Sequence, residues 1–527
     1  MKSGEKDIVD VLIVGAGPAG LMMACQLDLQ NISFRIIDKK ASPAIHSGAL
    51  IVHARTLEIL HQMGLAEKAI DDGIIAQTIK LQFNRFKNFS FDISDIGKSS
   101  TRFPYLLMLE QWRTERLLIQ FLVERRHEIE NNASFHSFTQ ESEMICSKIN
   151  KPDGSIEFIK SRYLIGADGN NSQVRSQLNI PFSGKTQHSR LFITDCEASL
   201  QLSAHEIFFS FASDYTSGFF PLPDNRWRVD GHIPLIQQKD VGFKEVSNFL
   251  GDKLYTGVEL YSPQWFSVFR SHSRCAEIYR RNNCFLIGDA AHVHSPVGAQ
   301  GMNTGLQDAH NLAWKLAFVI QGKASPKLLE TYEAERRPLA LRVIRYTDLA
   351  YSFMTTNFFF IRFLRLTIIP LLLPIFIIGF KYRSGLRRGI FMSISGIGIK
   401  YKHGLLAHSS NSFPILIPKP GERIPYLTFG MNGKQVSIYD CMGDSTFTLF
   451  ILGKQLLPES FQQIINHYRH VVSVIHIEKQ VGNQLLFKSL GFKNEGYYLV
   501  RPDHFIALRS QEFNAVDFDN YLQKFMK

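Results

Sequence analysis

Gly15, Gly17 and Gly20 stand in the run Gly15-Ala16-Gly17-Pro18-Ala19-Gly20, and Asp38 closes the apolar stretch Phe34 to Ile37 that follows. In a GxGxxG turn the first glycine makes a tight bend, the second lets backbone reach a pyrophosphate, and the third lets a helix pack against a strand. An acid at the end of the second strand can bind ribose hydroxyls, so this set suits one dinucleotide. A second acid, Asp289, directly follows the apolar run Cys284 to Ile287 and precedes a loop with Pro296, Gly298 and Gly301. Its carboxylate can accept hydrogen bonds from ligand hydroxyls. The glycines let backbone N–H groups approach a ring or an anion, and the next helix points its positive N-terminus at the same spot. Asp168 and Gly169 form a third strand-end turn, with Arg175 on the helix behind it. Gln111 and Arg113 open another helix, where a polar ligand can be met. No second GxGxxG occurs, so a second dinucleotide needs a different kind of site.

The elements that must position these groups can be read in order. Val9 to Val14 is a short β-branched strand and Leu21 to Leu29 a helix, so strand, glycine turn, helix, strand and acid fall within thirty residues. A helix is expected from Ala54, strands of a half-buried sheet over Gln77 to Ile93, and a helix from Glu110 to about Arg126. From Ile180 to about Phe269 short aromatic-rich alternating segments predict a separate antiparallel sheet, a natural wall for a substrate cavity. Phe358 to Phe380 approaches the length of a membrane span, but Arg362, Arg365, Pro370 and Pro374 interrupt it. A packed or interfacial helix pair is therefore expected rather than a span, with the basic residues after it leaving peripheral membrane contact open. After Pro418, strand-like Phe447 to Leu452, a helix near Ser460 to Tyr468, Val471 to Ile477 and the run YYLVRPDHFIALR at 497–509 indicate a further α/β unit.

The chain of 527 residues is 45% hydrophobic and 20% charged, which fits two to four folded domains and excludes a largely disordered polypeptide. Its net charge of +11 reads as scattered Lys and Arg apart from a cluster at Lys381, Arg383, Arg387 and Arg388, which argues against a nucleic-acid groove. The six cysteines form no CxxC, so neither structural zinc nor disulfide exchange is expected, and the usage fits a reducing cytoplasm. The N-terminal MKSGEKDIVD has no apolar core of a signal peptide.

Taken together, these residues resemble the single-component FAD-dependent aromatic hydroxylases, and more closely their phenol hydroxylase and polyketide aromatic hydroxylase branch. The resemblance is carried by the glycine start, the Asp-Gly turn at 168–169, RTLEIL at 55–60, GDAAHVHSP at 288–296, GMNTGLQDAHNLAWKL at 301–316 and YEAERRP at 332–338. It implies an α/β protein: a Rossmann-like FAD-binding domain (about 9–75, 105–178 and 275–347) interleaved with an antiparallel β-sheet substrate domain (about 76–104 and 179–274). A helical linker over 348–405 and a thioredoxin-like domain lacking CxxC over 406–527 would follow. Gly15, Gly17, Gly20 and Asp38 would hold the ADP half of FAD, with Gln111 and Arg113 near the cofactor. Asp289 would bind the ribityl or pyrophosphate region, and the loop from Pro296 through Gly298, Gly301 and Met302 to Asn303 would line the isoalloxazine. Asp168 and Gly169 are associated in such enzymes with both FAD and NAD(P)H.

The activity implied is monooxygenation. NADPH or NADH would reduce the flavin and leave, and oxygen would then give a C4a-hydroperoxide that hydroxylates a phenolic or polycyclic aromatic ring. The small aromatic substrate and O2 are the expected partners, with no nucleic acid and no metal; a homodimer and peripheral membrane contact stay open. Three positions depart from the family pattern: Gly48 where relatives carry an Arg near the flavin, Leu50 where phenol hydroxylases place an acid, and Ala299 in place of a loop glycine. His46 or His53 is then a candidate for the missing base. A related epoxidase or drug-inactivating monooxygenase, and a flavin-binding sensor or scaffold without turnover, remain as alternatives. A halogenase is disfavoured because no WxW occurs.

Overall fold

The computed structural model describes residues 8–527 apart from 44, 46–47, 85–86, 238–240, 255–257, 357, 402–403, 410–416, 432 and 454–455. Its first half runs β1 (Ile8–Val14), α1 (Pro18–Leu29), β2 (Phe34–Ile37), β3 (Thr78–Phe83), β4 (Lys87–Asp92), α2 (Gln111–Glu124), β5 (Ile156–Gly166) and α3 (Gln173–Gln177). Then come β6 (Phe182–Ser199), β7 (Glu206–Phe211), β8 (Thr216–Leu222), β9 (Arg226–His232), β10 (Glu259–Ala276), β11 (Cys284–Leu286), α4 (Gly301–Ile320) and α5 (Glu330–Thr355).

One sheet has the central order β11-β5-β1-β2, all parallel. Parallel strands are covered on both faces, which is why Val11 to Ile13 and Leu164 to Ile165 are apolar without alternation and fully buried. Helix α1 is apolar almost all round because it is enclosed between this sheet and α4. A small residue permits that crossing: a Cβ on Gly305 of α4 would lie 3.4 Å from the Ala19 Cβ of α1.

The second sheet, with central order β10-β6-β9-β8-β7-β3-β4, is the expected substrate sheet. It differs from the expectation in one ladder: β7 pairs with β3 in parallel, so the sheet is mixed rather than antiparallel throughout. Its outer face is buried under the helix Phe243–Lys253 by a separate core that includes Phe192, Phe219, Trp227 and Val229. Strand alternation therefore turns Arg226, Arg228, Asp230 and His232 of β9 to the other face, toward the FAD-binding sheet.

The apolar run is one continuous helix over Phe359–Tyr382 rather than a packed pair. A π-helical turn at Leu364–Ile368 widens the ladder just before Pro370, and the helix then continues as α6 (Ile369–Tyr382), followed by α7 (Ser384–Ile394).

The last unit contains β12 (Phe447–Leu452), α8 (Glu459–His467), β13 (Val472–Ile477), α9 (Gln484–Leu490), β14 (Gly496–Val500), β15 (Ile506–Ser510) and α10 (Ala515–Gln523). Its sheet runs β13-β12-β14-β15, with β12 and β13 parallel and β14 antiparallel to both its neighbours. The run at 497–509 is a hairpin whose turn carries Asp503.

Candidate active site

The glycine turn is shaped as its sequence requires. Gly15 has φ +106°, and a Cβ there would meet the Ala167 carbonyl oxygen at 2.4 Å, whereas the space beside Gly17 is open. Gly17 is the N-cap of α1 without any side-chain cap, so the N–H groups at this helix start face that space. Asp38 accepts hydrogen bonds from the Ala16 and Lys40 backbone N–H groups at 2.6 and 2.8 Å, which fixes its carboxylate against the turn. Beside it opens a cavity of 310 Å³ whose lining includes Ala16, Asp38, Lys40, Glu115, Ile119 and Asn131. The cradle left by a missing Cβ, the open helix N-terminus and the adjoining cavity fit the ADP half of FAD.

Gln111 and Arg113 lie at the start of α2 as expected, but their side chains have protein partners. Gln111 donates to Glu115 Oε1 at 2.8 Å, and Arg113 pairs with Glu110 Oε2 at 2.8 Å. Asp168 is also occupied: its carboxylate accepts the Ser172 hydroxyl and the N–H groups of Gln173 (2.7 Å) and Val174 (3.1 Å), capping α3. Gly169 takes φ +80° with open space around it. Arg175 links this turn to the second acid loop, donating to the carbonyls of Asn170 (2.7 Å) and Ala290 (2.8 Å).

Asp289 presents the opposite case. It sits deep enough for burial to push its carboxyl above the ordinary range, against a smaller lowering by His292. Yet its side chain is accessible, and its carboxylate has no partner among the described residues. A carboxylate that nearby protein desolvates but does not hydrogen-bond is open to a ligand. Its neighbours are rigid: Asp308, fully buried on α4, accepts the Gly288 N–H at 3.1 Å, His292 Nε2 at 2.7 Å and Arg336 Nε at 2.7 Å. Burial works against that carboxylate, and Arg336 and His292 outweigh it, holding its pKa below the usual value.

The loop before α4 is tied to residues 51–56 through Asn303. Its Oδ1 accepts from the His53 N–H and the Thr56 hydroxyl at 2.9 and 2.7 Å, and its Nδ2 donates to the carbonyls of Ile51 and Ala299 at 2.8 and 2.9 Å. Asn303 thus shapes the loop. The N–H groups of Gly301, Met302 and Asn303 in the first turn of α4 have no acceptor among the described residues. Pro296 and Gly298 are exposed on this loop, and Gly298 (φ +85°) and Ala299 (φ +51°) both take the left-handed conformation, one at ease and the other strained. Two enclosed nitrogens flank the loop without partners among the described residues, His53 Nδ1 and His294 Nε2. Burial lowers both imidazoles to about 4, so they are neutral. These unsatisfied donors and nitrogens fit a polar heterocycle such as the isoalloxazine.

His46 lies outside the described residues. His53 is described, and a base near 4 is poorly matched to a phenol. The Gly48 and Leu50 departures meet side chains that sequence reasoning missed. Arg228, buried on β9, pairs with Asp195 at 2.7 and 2.8 Å and donates to the carbonyls of Gly48 and Ala49, both at 3.1 Å. A cation therefore reaches the Gly48 position from another strand. Two residues further along the same face stands Asp230, whose carboxylate has no partner among the described residues. A Cβ on Gly218 of the adjacent strand would lie 3.0 Å from Asp230 Oδ1, 2.9 Å from the Phe220 ring and 3.2 Å from the Phe209 ring. The two rings and the carboxylate close over Gly218, leaving no room for a side chain there, and all three are half-buried on one face of the sheet. Burial pushes Asp230 up to about 7, with Arg228 opposing. Only strand register discloses this grouping.

Comparison with known proteins agrees with this site. Residues 8–347 match the family described as FAD binding domain. The chain is 30% identical over 98% of its length to the 6-methylpretetramide 4-monooxygenase of Streptomyces rimosus, covering 94% of that protein. Among solved structures, the anhydrotetracycline hydroxylase OxyS of Streptomyces rimosus aligns with TM-score 0.75 and 27% identity, over 98% of this chain and 99% of that one. The flavin-dependent monooxygenase PieE, solved with FAD and substrate, shares the fold with TM-score 0.83 and 22% identity over 99% of both chains. The glycine cradle, the unpartnered Asp289 and these matches together place the chain in the FAD-binding domain family, as an FAD-dependent aromatic monooxygenase.

Proposed function

We propose that the protein hydroxylates a phenolic ring, alone or within a polycyclic aromatic compound, with NADPH or NADH as electron donor and Asp230 as the group that receives the phenolic proton. The observation that carries this reading is the grouping over Gly218, where the half-buried rings of Phe209 and Phe220 and the Asp230 carboxylate converge on the face that Arg228 joins to Gly48 and Ala49. Relatives named for acting on tetracycline intermediates and on pentachlorophenol support an aromatic substrate of this kind.

FAD, when bound, supplies the activation of O2 to an electrophilic oxygen. Gly15, Gly17, Gly20, Asp38 and Asp289 would hold it, and the N–H groups of Gly301, Met302 and Asn303, which have no acceptor among the described residues, would be available to its ring. On the substrate side, the phenol O–H transfers its proton to an Asp230 oxygen, leaving a phenolate whose ring is richer in electrons. A carboxyl near 7 is a much better acceptor than an ordinary aspartate, and Arg228 steadies the ionised form. The aromatic walls exclude water from the reacting ring. Asp168 and Asn303 act by shaping turns. The sensor or scaffold reading rested on Gly48 and Leu50, and Arg228 and Asp230 provide the cation and the acid that those positions lack.

We also read the last unit as thioredoxin-like, supported by its strand order, its strand directions and the helices α8, α9 and α10 in their places. With Cys441 the sole cysteine after residue 284, it has no dithiol chemistry.

The test is anaerobic reduction of the bound FAD by NADPH and by NADH, followed at the flavin absorbance with and without a panel of phenols and polycyclic aromatics. Acceleration by a phenolic compound, followed by its hydroxylation on admitting oxygen, supports the reading. Reduction that no aromatic accelerates, or oxygenation only of non-phenolic substrates, overturns it.

A further inference from the structure

The positive charge of the chain is not scattered. Between Asp348 and Glu422 there is no Asp or Glu, while nine Lys and Arg occur there, so this stretch contributes +9 of the net +11. The same stretch carries a large apolar surface. Along the helix Phe359–Tyr382, Phe359 (63% exposed), Phe360 (69%), Leu371 (68%), Leu372 (53%), Ile375 (69%) and Ile378 (59%) face solvent. Scattered apolar side chains on a surface are ordinary; a continuous strip of them marks a docking surface.

The other side of the helix is anchored. Arg365 is buried and donates to the carbonyls of Phe353 (2.8 Å) and Met354 (2.6 Å), and to Ala212 (3.3 Å) in the β7–β8 connection. Phe380 is buried against Phe91 of β4, with ring centroids 5.5 Å apart. At the C-terminal end, Phe391 of α7 is fully buried over Gly97. A helix fixed in this way along one side cannot cross a bilayer, but it can lie in the plane of one. At its end Lys381, Arg383 and Arg388 are exposed with Arg387 beside them. An apolar face continued by cations, in a segment that itself holds no acid and with Asp92 of β4 acting on Arg387 alone of these cations, is complementary to the acyl boundary and phosphate headgroups of an anionic bilayer.

We propose that the helix Phe359–Tyr382 and the basic segment after it dock the protein on the surface of an anionic membrane, with the apolar face in the acyl boundary and the cations on headgroup phosphates. Because the helix rests on β4 and on the β7–β8 connection, docking sets the edge of the substrate sheet against the bilayer.

The test is sedimentation of the full-length FAD-loaded protein with vesicles of phosphatidylcholine alone or mixed with phosphatidylglycerol, over a range of salt. This readout requires no turnover, so it stands or falls apart from the substrate assignment. The protein is expected to sediment with the anionic vesicles and to be released by salt. The Arg387→Glu/Arg388→Glu double variant should bind them at least roughly tenfold more weakly. Leu371→Asp/Ile375→Asp should abolish binding while flavin absorbance and Tm are unchanged. Failure of the parent protein to sediment with either vesicle overturns the proposal. So does a dimer, measured by light scattering, that Leu371→Asp/Ile375→Asp converts to monomer, because the face is then a contact between two copies.

Discussion

Two groups of carboxylates behave in opposite ways. Where α4 and α5 meet the last unit, Glu335 is fully enclosed and receives Lys315 at 2.8 Å and Arg501 at 2.5 and 2.9 Å, while Asn311 donates to it at 2.8 Å. Arg501 also holds Asp503, and Asp308 on α4 has its three partners. At the site, Asp289 is accessible and Asp230 half-buried, yet surrounding protein raises the pKa of both by desolvation, and neither carboxylate has a partner among the described residues. A buried charge without compensation is costly, so a protein keeps one where a ligand or a proton supplies the missing partner. The paired set is scaffold; the unpaired set is site.

The largest effect expected from breaking this contrast is on the scaffold. Glu335→Ala leaves enclosed Lys315 without a carboxylate, with only Asn311 Oδ1, and Arg501 with Asp503 alone, and should destabilise the protein by about 3–5 kcal/mol, read as a fall in Tm of both the FAD-loaded and FAD-free forms. On the site side, Asp230→Asn should lower kcat on a phenolic substrate by a factor on the order of 100 with little loss of Tm. The rate of the parent enzyme should rise with pH through about 7 as Asp230 ionises, and the variant should lose that inflection. Stability carries the same signature with the opposite slope. The folded pKa of Asp230 lies above its unfolded value, so its contribution is full below the ordinary carboxyl range and is lost as pH rises through about 7. The FAD-free variant should therefore gain Tm over the parent at about pH 8 and not at about pH 4, which melting at the two pH values checks. The smallest effect is at the strained loop: Ala299→Gly removes a left-handed alanine at φ +51° and should raise stability by less than about 1 kcal/mol, visible as a small rise in Tm.

The cofactor end was legible because its signals are local. The turn, helix and acid of residues 9–38 appear as β1, α1 and β2, and the strand before Asp289 and the helix after the loop appear as β11 and α4. Glycine spacing and apolar runs act over a few residues, and so can be read along the chain. The substrate sheet was legible as a region but not as a site. Asp230 lies in Trp227-Arg228-Val229-Asp230-Gly231, and nothing there indicates that Arg228 and Asp230 share a face with Phe209 and Phe220. That knowledge requires the register of β7, β8 and β9, which side-chain alternation alone does not set between strands. The parallel β7–β3 pair was hidden for the same reason, because pairing partners from distant segments leave no local mark. Gln111, Arg113 and Asp168 have the residue types of ligand contacts, but neighbouring side chains and helix N–H groups occupy them. The apolar run of 358–380 was expected to pack on its length and prolines, and its exposure depends on where the rest of the fold leaves room.

Asp289→Ala gives the plainest separation of site from scaffold when FAD affinity, by quenching of flavin fluorescence, and Tm of the FAD-free protein are measured on the same preparation. If the unpaired carboxylate is kept for the cofactor, FAD should bind roughly tenfold or more weakly while the FAD-free Tm stays level or rises. Unchanged FAD affinity together with a Tm several degrees lower would show that Asp289 belongs to the scaffold after all.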